Sequence, residues 1–179
     1  ERMRESMESF STAGPVNGYI YHTKSVSPAI ADVAASTPEP GVVDIRILLQ
    51  DGKLPTEAVI KEVEDALNTS DIRPLTDKVT VSKPEESPFD VDVTYYIPRQ
   101  SQASSKIVEE AAEAAVADYI KWQTGKMGRD INPSQLNSML MAAGVKRVVI
   151  TKPAFEVVPE THVARLQTQQ VLNGGIEDE

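Results

Sequence analysis

Val42-Val43-Asp44-Ile45-Arg46-Ile47-Leu48-Leu49, stopped by Asp51-Gly52 and followed by a helical run from Thr56 to Asn68, carries the pattern on which the fold turns. In the first stretch Val43, Ile45, Ile47 and Leu49 fall on one side, with Asp44 and Arg46 on the other. That alternation predicts a strand with one face against a core. In the second, Val59, Ile60, Val63, Ala66 and Leu67 recur at helical spacing, while Glu57, Glu62, Glu64 and Asp65 cover the wet side. Pro55 sits at its start. A strand and a helix that are each apolar on one side bury those sides against one another.

The same pairing returns further along. Phe89, Val91, Val93, Tyr95 and Ile97 alternate with Asp90, Asp92, Thr94 and Tyr96, and predict a second one-sided strand. Ser104 to Lys121 predicts the longest helix, with Ile107, Val108, Ala111, Ala112, Ala115, Val116, Tyr119 and Ile120 on its stripe; its alanines allow close approach to a sheet. Between the two blocks, Ser82-Lys83-Pro84-Glu85-Glu86-Ser87-Pro88 lacks apolar residues and holds two prolines, so it predicts the domain boundary and a candidate hinge.

Shorter elements fill in around these. A helix opens at Pro15 and cannot pass far beyond Pro28. Strands are expected over Ile30–Ala35, before the turn Thr37–Gly41, and over Lys78–Val81, after the turn Arg73–Asp77. Asn132-Pro133-Ser134-Gln135 opens a helix with an Asn cap, Pro at the first position and Gln in the capping-box place. Leu136, Met139, Leu140 and Ala143 make its inner stripe, and Gly144 ends it. Strands over Val145–Thr151 and Val163–Leu172 follow, and Asn173-Gly174-Gly175 with the acids behind it predicts an exit. The expected fold class is α+β, two small domains, each a short mixed or antiparallel sheet packed against helices. Residues 1–13 form a linker or the remnant of a missing N-terminal region, 14–84 the first domain and 85–179 the second.

Composition narrows the function. The chain has 179 residues, 40% hydrophobic and 25% charged, the balance of a globular protein. With 18 basic against 27 acidic residues the net charge is −9, which on average repels phosphate backbones and anionic lipid. Aromatics are only 5%, too few for base-stacking platforms, so nucleic acid is not an expected partner. No cysteine is present, which removes disulfides, thiolate metal sites and cysteine nucleophiles. No apolar run reaches membrane-spanning length. The start at Glu1, without an initiator Met or an apolar leader segment, predicts a piece of a longer chain.

Catalytic groups are sparse. His22 and His162 have no partner at metal-ligand spacing, and are expected to be satisfied by backbone or solvent rather than to act as bases. Asp90 and Asp92 could chelate magnesium in another setting, but strand alternation already accounts for them. Glu109, Glu110 and Glu113 make a solvated helix face. Gly125-Lys126-Met127-Gly128 lacks the spacing of a phosphate-binding loop, and no Gly-x-Ser-x-Gly elbow occurs. No catalytic, cofactor-binding or metal-binding residue is therefore assigned, no cofactor is expected, and the chain reads as a non-enzyme. One cluster stands out, Lys121, Trp122, Lys126, Met127 and Arg129. It reads either as a packed helix end with cations toward water or as a protein contact.

The run Glu8-Ser9-Phe10-Ser11-Thr12-Ala13-Gly14-Pro15 with Gly18-Tyr19-Ile20-Tyr21-His22 resembles the middle part of baseplate J-like proteins of contractile-tailed phages. So do Ile30-Ala31-Asp32-Val33, Thr37-Pro38-Glu39-Pro40-Gly41 and Arg73-Pro74-Leu75-Thr76-Asp77-Lys78-Val79-Thr80-Val81. Gly128-Arg129-Asp130-Ile131 and Gly144-Val145-Lys146-Arg147-Val148 resemble the family's C-terminal part. The resemblance implies a structural component of the baseplate wedge of a contractile phage tail or related injection particle. Its implied partners are other wedge proteins and copies of itself, with no small-molecule substrate, and its place is the virion tail baseplate, reached from the host cytoplasm during assembly. A small-molecule-binding regulatory module of paired α+β domains is the competing reading; it requires a pocket with convergent polar groups.

Overall fold

The alternation along Val42–Leu49 becomes a central strand in the computed structural model, which describes residues 16–68 and 78–178. The expected linker 1–13, the opening of the first helix at Pro15 and the turn Arg73–Asp77 lie outside the described residues. The first elements are α1 (Val16–Val26), β1 (Ile30–Glu39), β2 (Val42–Leu49), α2 (Glu57–Leu67) and β3 (Lys78–Ser82). There follow β4 (Glu85–Pro98), α3 (Ser105–Thr124), α4 (Pro133–Ala142), β5 (Arg147–Lys152) and β6 (His162–Glu177). The chain is α+β as expected, with two three-stranded sheets and their helices.

It divides into two units. The first takes the described residues up to Glu85, with Gly125–Met127 and Pro159–Val163; the second takes Glu86–Thr124, Gly128–Val158 and the described residues from Ala164 onward. The stretch read as the domain boundary and a candidate hinge, Ser82–Pro88, is itself mostly strand, since only Lys83 and Pro84 separate β3 from β4, and the division between the units falls between Glu85 and Glu86. Prolines at 84 and 88 did not prevent pairing, because Pro84 falls between strands and Pro88 lies near the start of β4.

In the first unit the sheet order is β1-β2-β3. β1 is antiparallel to β2, with Val33 opposite Ile47 and Ala35 opposite Ile45. β2 is parallel to β3, with Val43 opposite Val79 and Ile45 opposite Val81. Parallel neighbours need a crossover, and α2 lies in that connection. Its Val63 and Leu67 pack with Ile45, Ile47, Val79 and Val81 in one core. β1 runs past Ala35 to Glu39 and carries Pro38, which an edge strand tolerates because its outward N–H has no ladder partner to lose. The turn is only Pro40-Gly41, where Gly41 takes φ 77°.

Leu48 departs from the simple reading of β2. It is fully buried although it lies between Ile47 and Leu49 on the opposite face. Met127 and Val163 cover it there, with Ala34 and Leu54 alongside. Met127 pairs with Val163 as an isolated antiparallel bridge, and its N–H donates to the Asp32 carboxylate at 2.9 Å.

In the second unit β4 is central, in the order β5-β4-β6. Phe89, Val91, Val93, Tyr95 and Ile97 all point inward, onto Ala112, Val116 and Tyr119 of α3 and Leu136 and Leu140 of α4. Ile107, placed on the α3 stripe by spacing, is instead 69% exposed near the start of the helix. Asn132 caps α4 as expected, its Oδ1 accepting the Ser134 N–H at 2.9 Å. The helix ends into Gly144 at φ +92°. β5 is antiparallel to β4, with Val93 opposite Ile150 and Tyr95 opposite Val148. On the other edge the contacts Glu86–Arg165, Asp90–Thr168 and Tyr96–Gly174 climb together, so β6 runs parallel to β4.

Asn173-Gly174-Gly175 is strand, not the exit expected from its composition. The reason is contact. A Cβ built on Gly174 would sit 2.5 Å from Cε1 of Tyr96, so only a residue without a side chain lets β6 pass the ring. Gly174→Ala is expected to destabilise the second unit by about 1–3 kcal/mol through overpacking. Urea unfolding should show this in the wild-type background and much less of it with Tyr96→Val. An equal loss in both backgrounds would place the cause elsewhere.

Candidate functional site

The outward face of the second sheet gathers most of the charged candidates, because alternation sends Asp90, Asp92, Thr94 and Tyr96 away from the core. Asp90 is the centre of a three-strand clasp. Lys152 Nζ from β5 donates to its Oδ2 at 2.8 Å. From β6, the Thr168 N–H and hydroxyl donate to its Oδ1 at 3.1 and 2.5 Å. The Lys152 ammonium first, and the Thr168 hydroxyl next, hold the Asp90 carboxyl below the usual carboxylate range; Asp90 in turn raises the Lys152 ammonium. Asp92 lies opposite Lys152 in the ladder. Held ionised with its lone pairs occupied, Asp90 is a poor proton shuttle near neutrality.

A second clasp crosses the same three strands further along. Arg147 of β5 stacks over the Tyr96 ring, 3.8 Å from its centroid, and its guanidinium donates to the Glu177 carboxylate of β6. Arg147 lowers the Glu177 carboxyl and is itself raised by it. Asp178 next to it takes Arg99 and Lys146. These contacts tie both edge strands to the middle one.

Both depressed carboxyls make the sheet acid-sensitive. A group whose folded pKa lies below its unfolded value contributes stability that is complete above the unfolded value and disappears as pH falls through the folded one. Stability is therefore expected to decline as pH drops below the ordinary carboxylate range, about pH 4. Lys152→Met, by removing the first cause at Asp90, should flatten that decline in a series of urea midpoints against pH. Parallel profiles for the variant and wild type would contradict it.

The remaining candidates are dispersed. His22 meets the Tyr21 ring edge-on at 5.5 Å. His162 Nε2 is 3.3 Å from the Glu85 carboxylate, and the His162 backbone N–H donates to the Pro159 carbonyl at 2.9 Å. Glu109 accepts from Asn173 at 2.9 Å, while Glu110 and Glu113 face solvent. Among the described residues no group of three or more His, Asp or Glu side chains is arranged to hold a metal ion. No helix among them is long and apolar enough to cross a membrane.

The tryptophan cluster separates. Trp122 packs on the core of the second unit, Arg129 lies 4.2 Å over its ring and donates to its carbonyl, and Met127 is buried in the first unit. Lys121 and Lys126 are exposed. Of the two readings, this placement matches the packed helix end. Sequence patterning gave no notice of Gln123, which is fully buried and donates through Nε2 to the carbonyls of Arg129 at 2.9 Å and Asp130 at 3.1 Å. It fixes the path of the segment leading to α4.

Comparison with known proteins places these features in a family. The model of the baseplate J-like central domain matches residues 11–83, and that of the baseplate J-like protein C-terminal domain matches residues 91–171. A family of proteins of unknown function also matches residues 48–120, from within β2 to within α3. Baseplate protein J of Escherichia phage P2 is 30% identical over 179 residues, covering 99% of this chain. The chain spans 58% of that protein's length. Among solved structures, the cryo-EM structure of the anti-feeding prophage baseplate, 6-fold symmetrised, aligns with a TM-score of 0.61 at 16% identity. That alignment covers 85% of this chain and 37% of the other, and it shows a shared fold.

Proposed function

The chain belongs to the baseplate J-like family, and we propose that it is part of a structural component of the baseplate wedge of a contractile tail or related injection particle, working through protein–protein assembly. The observation that carries the reading is the match of both family domains, in order, along nearly the whole chain. Its partners are other wedge proteins and copies of itself, and its place is the tail baseplate, with assembly in the host cytoplasm. It catalyses no reaction, and Asp90, the carboxylate first considered for chemistry, is held in a cross-strand clasp. A scaffold under load gains from such cross-strand ties, since they resist sliding of one strand past the next. No observation favours the small-molecule module.

The test is particle context. The full-length parent protein should co-purify with tail or injection-system particles at a fixed stoichiometry, and its deletion should leave tails without a complete baseplate in negative-stain images. A parent that stays outside particles, with intact baseplates formed in its absence, would overturn the reading.

A further inference from the structure

Asparagine followed by glycine occurs twice in the chain, at Asn17-Gly18 and Asn173-Gly174. In such a pair the next backbone nitrogen can attack the side-chain amide carbon, because no side chain on the second residue shields it. Folded geometry decides which pair reacts, since attack requires the two atoms to be held together. Asn17-Gly18 lies in the first turn of α1, where the helical backbone fixes the peptide and Gly18 is buried. Asn173-Gly174 is exposed on the edge strand β6.

There the side chain is bent back over the peptide whose nitrogen would attack it. Asn173 Oδ1 accepts the Gly175 N–H at 2.8 Å, a local ring that folds Cγ across the Asn173–Gly174 bond. That N–H also points at the oxygen on which negative charge would develop, as an oxyanion donor does. From the helix side Glu109 of α3 holds the arrangement, accepting from Nδ2 at 2.9 Å. Gly175 takes φ +102°, so the backbone leaves the extended conformation where the ring closes. The Tyr96 ring admits no side chain at 174, so packing itself sets the residue type that leaves the nitrogen open.

We propose that Asn173 is a site of spontaneous, fold-assisted deamidation whose products loosen β6. The Gly174 nitrogen gives its proton to solvent and bonds to Asn173 Cγ. The Cγ–Nδ2 bond breaks, and the amide nitrogen takes a proton from solvent and leaves as ammonia. Water then opens the cyclic imide at one carbonyl to give aspartate, or at the other to give isoaspartate. Aspartate sets a carboxylate against that of Glu109, and isoaspartate adds a backbone atom to β6 where it passes Tyr96.

The test incubates the chain, folded and in denaturant, in mildly alkaline buffer and maps the converted residues by peptide mass spectrometry. In the folded chain Asn173 should convert at least ~10-fold faster than Asn17; in denaturant the two should convert alike. Amide hydrogen exchange over residues 168–176 should quicken several-fold in N173D, which makes the aspartate product directly. N173D/E109Q should recover the slow exchange, because a glutamine amide can donate to the new carboxylate. The proposal is overturned if Asn173 stays intact in the folded chain while the denatured chain reacts, or if Asn17 keeps pace with it when folded. It is equally overturned if N173D exchanges as slowly as wild type or if E109Q brings no recovery.

Discussion

A chain cut after Pro84 is expected to lose cooperative folding, although residues 14–84 hold every strand and helix of the first sheet. The cut removes Met127 and Val163, the two side chains that cover Leu48 on the far face of β2. Each is buried, and burying a side chain of this size contributes about 1.5–3 kcal/mol. Two such losses compare with a whole-domain stability of about 5–15 kcal/mol. The Asp32 carboxylate also loses the Met127 N–H, and the small sheet is left with apolar surface on both sides. Circular dichroism of the fragment during urea unfolding should show a shallow, non-cooperative transition. In the intact chain Met127→Ala should cost about 2–5 kcal/mol, the range for truncating a buried methionine. A fragment of residues 14–84 that unfolds sharply at the midpoint of the intact chain would establish it as a self-sufficient domain and refute this account.

Gln123→Met is expected to cost about 2–5 kcal/mol, a large effect for a swap that keeps volume and helix propensity. The reason is desolvation. Gln123 donates to two carbonyls, those of Arg129 and Asp130, and methionine has no donor to offer either. Each acceptor left without its donor costs about 1–3 kcal/mol, offset in part because methionine also removes the Gln123 Oε1, which is buried without a partner. The loss should come with faster hydrogen exchange at Ile131 and Glu156, whose backbone pairing depends on the same segment. If the midpoint moves by less than about 0.5 kcal/mol, as for an ordinary surface change, Gln123 is not the brace of that segment.

The two predictions concern residues that patterning passes over, and the contrast with what it catches is physical. The one-sided strands β2 and β4, the helices α2 and α3, and the Asn132 cap of α4 follow from local chemistry: side-chain periodicity and a short polar residue able to reach a nearby N–H. The same reading sets no strand in the boundary stretch Ser82–Pro88 and makes Asn173-Gly174-Gly175 an exit, because proline and glycine usually punctuate. In both places a distant partner reversed the local preference. β4 begins at Glu85, whose N–H donates to the Thr161 carbonyl, and Gly174 is required by the Tyr96 ring.

Sites divide in the same way. Asp90 and Asp92 were correctly set on the outer face by alternation, yet the clasp that occupies Asp90 needs Lys152 and Thr168, each more than sixty positions away. Phe155 and Val157 gave no signal beyond being apolar residues between two prolines; their exposure depends on the pairing of Glu156 with Ile131.

Sequence alone, then, determined the class of fold, the inward face of each main strand and helix, and through its motifs the family. Tertiary structure alone decided that Leu48 is covered from a stretch seventy-nine positions on, which polar side chains are spent on cohesion, and which apolar ones stay exposed. Periodicity is written along the chain and can be read there. Contacts between remote segments depend on where the backbone returns in space, and no residue's neighbours in the chain encode that.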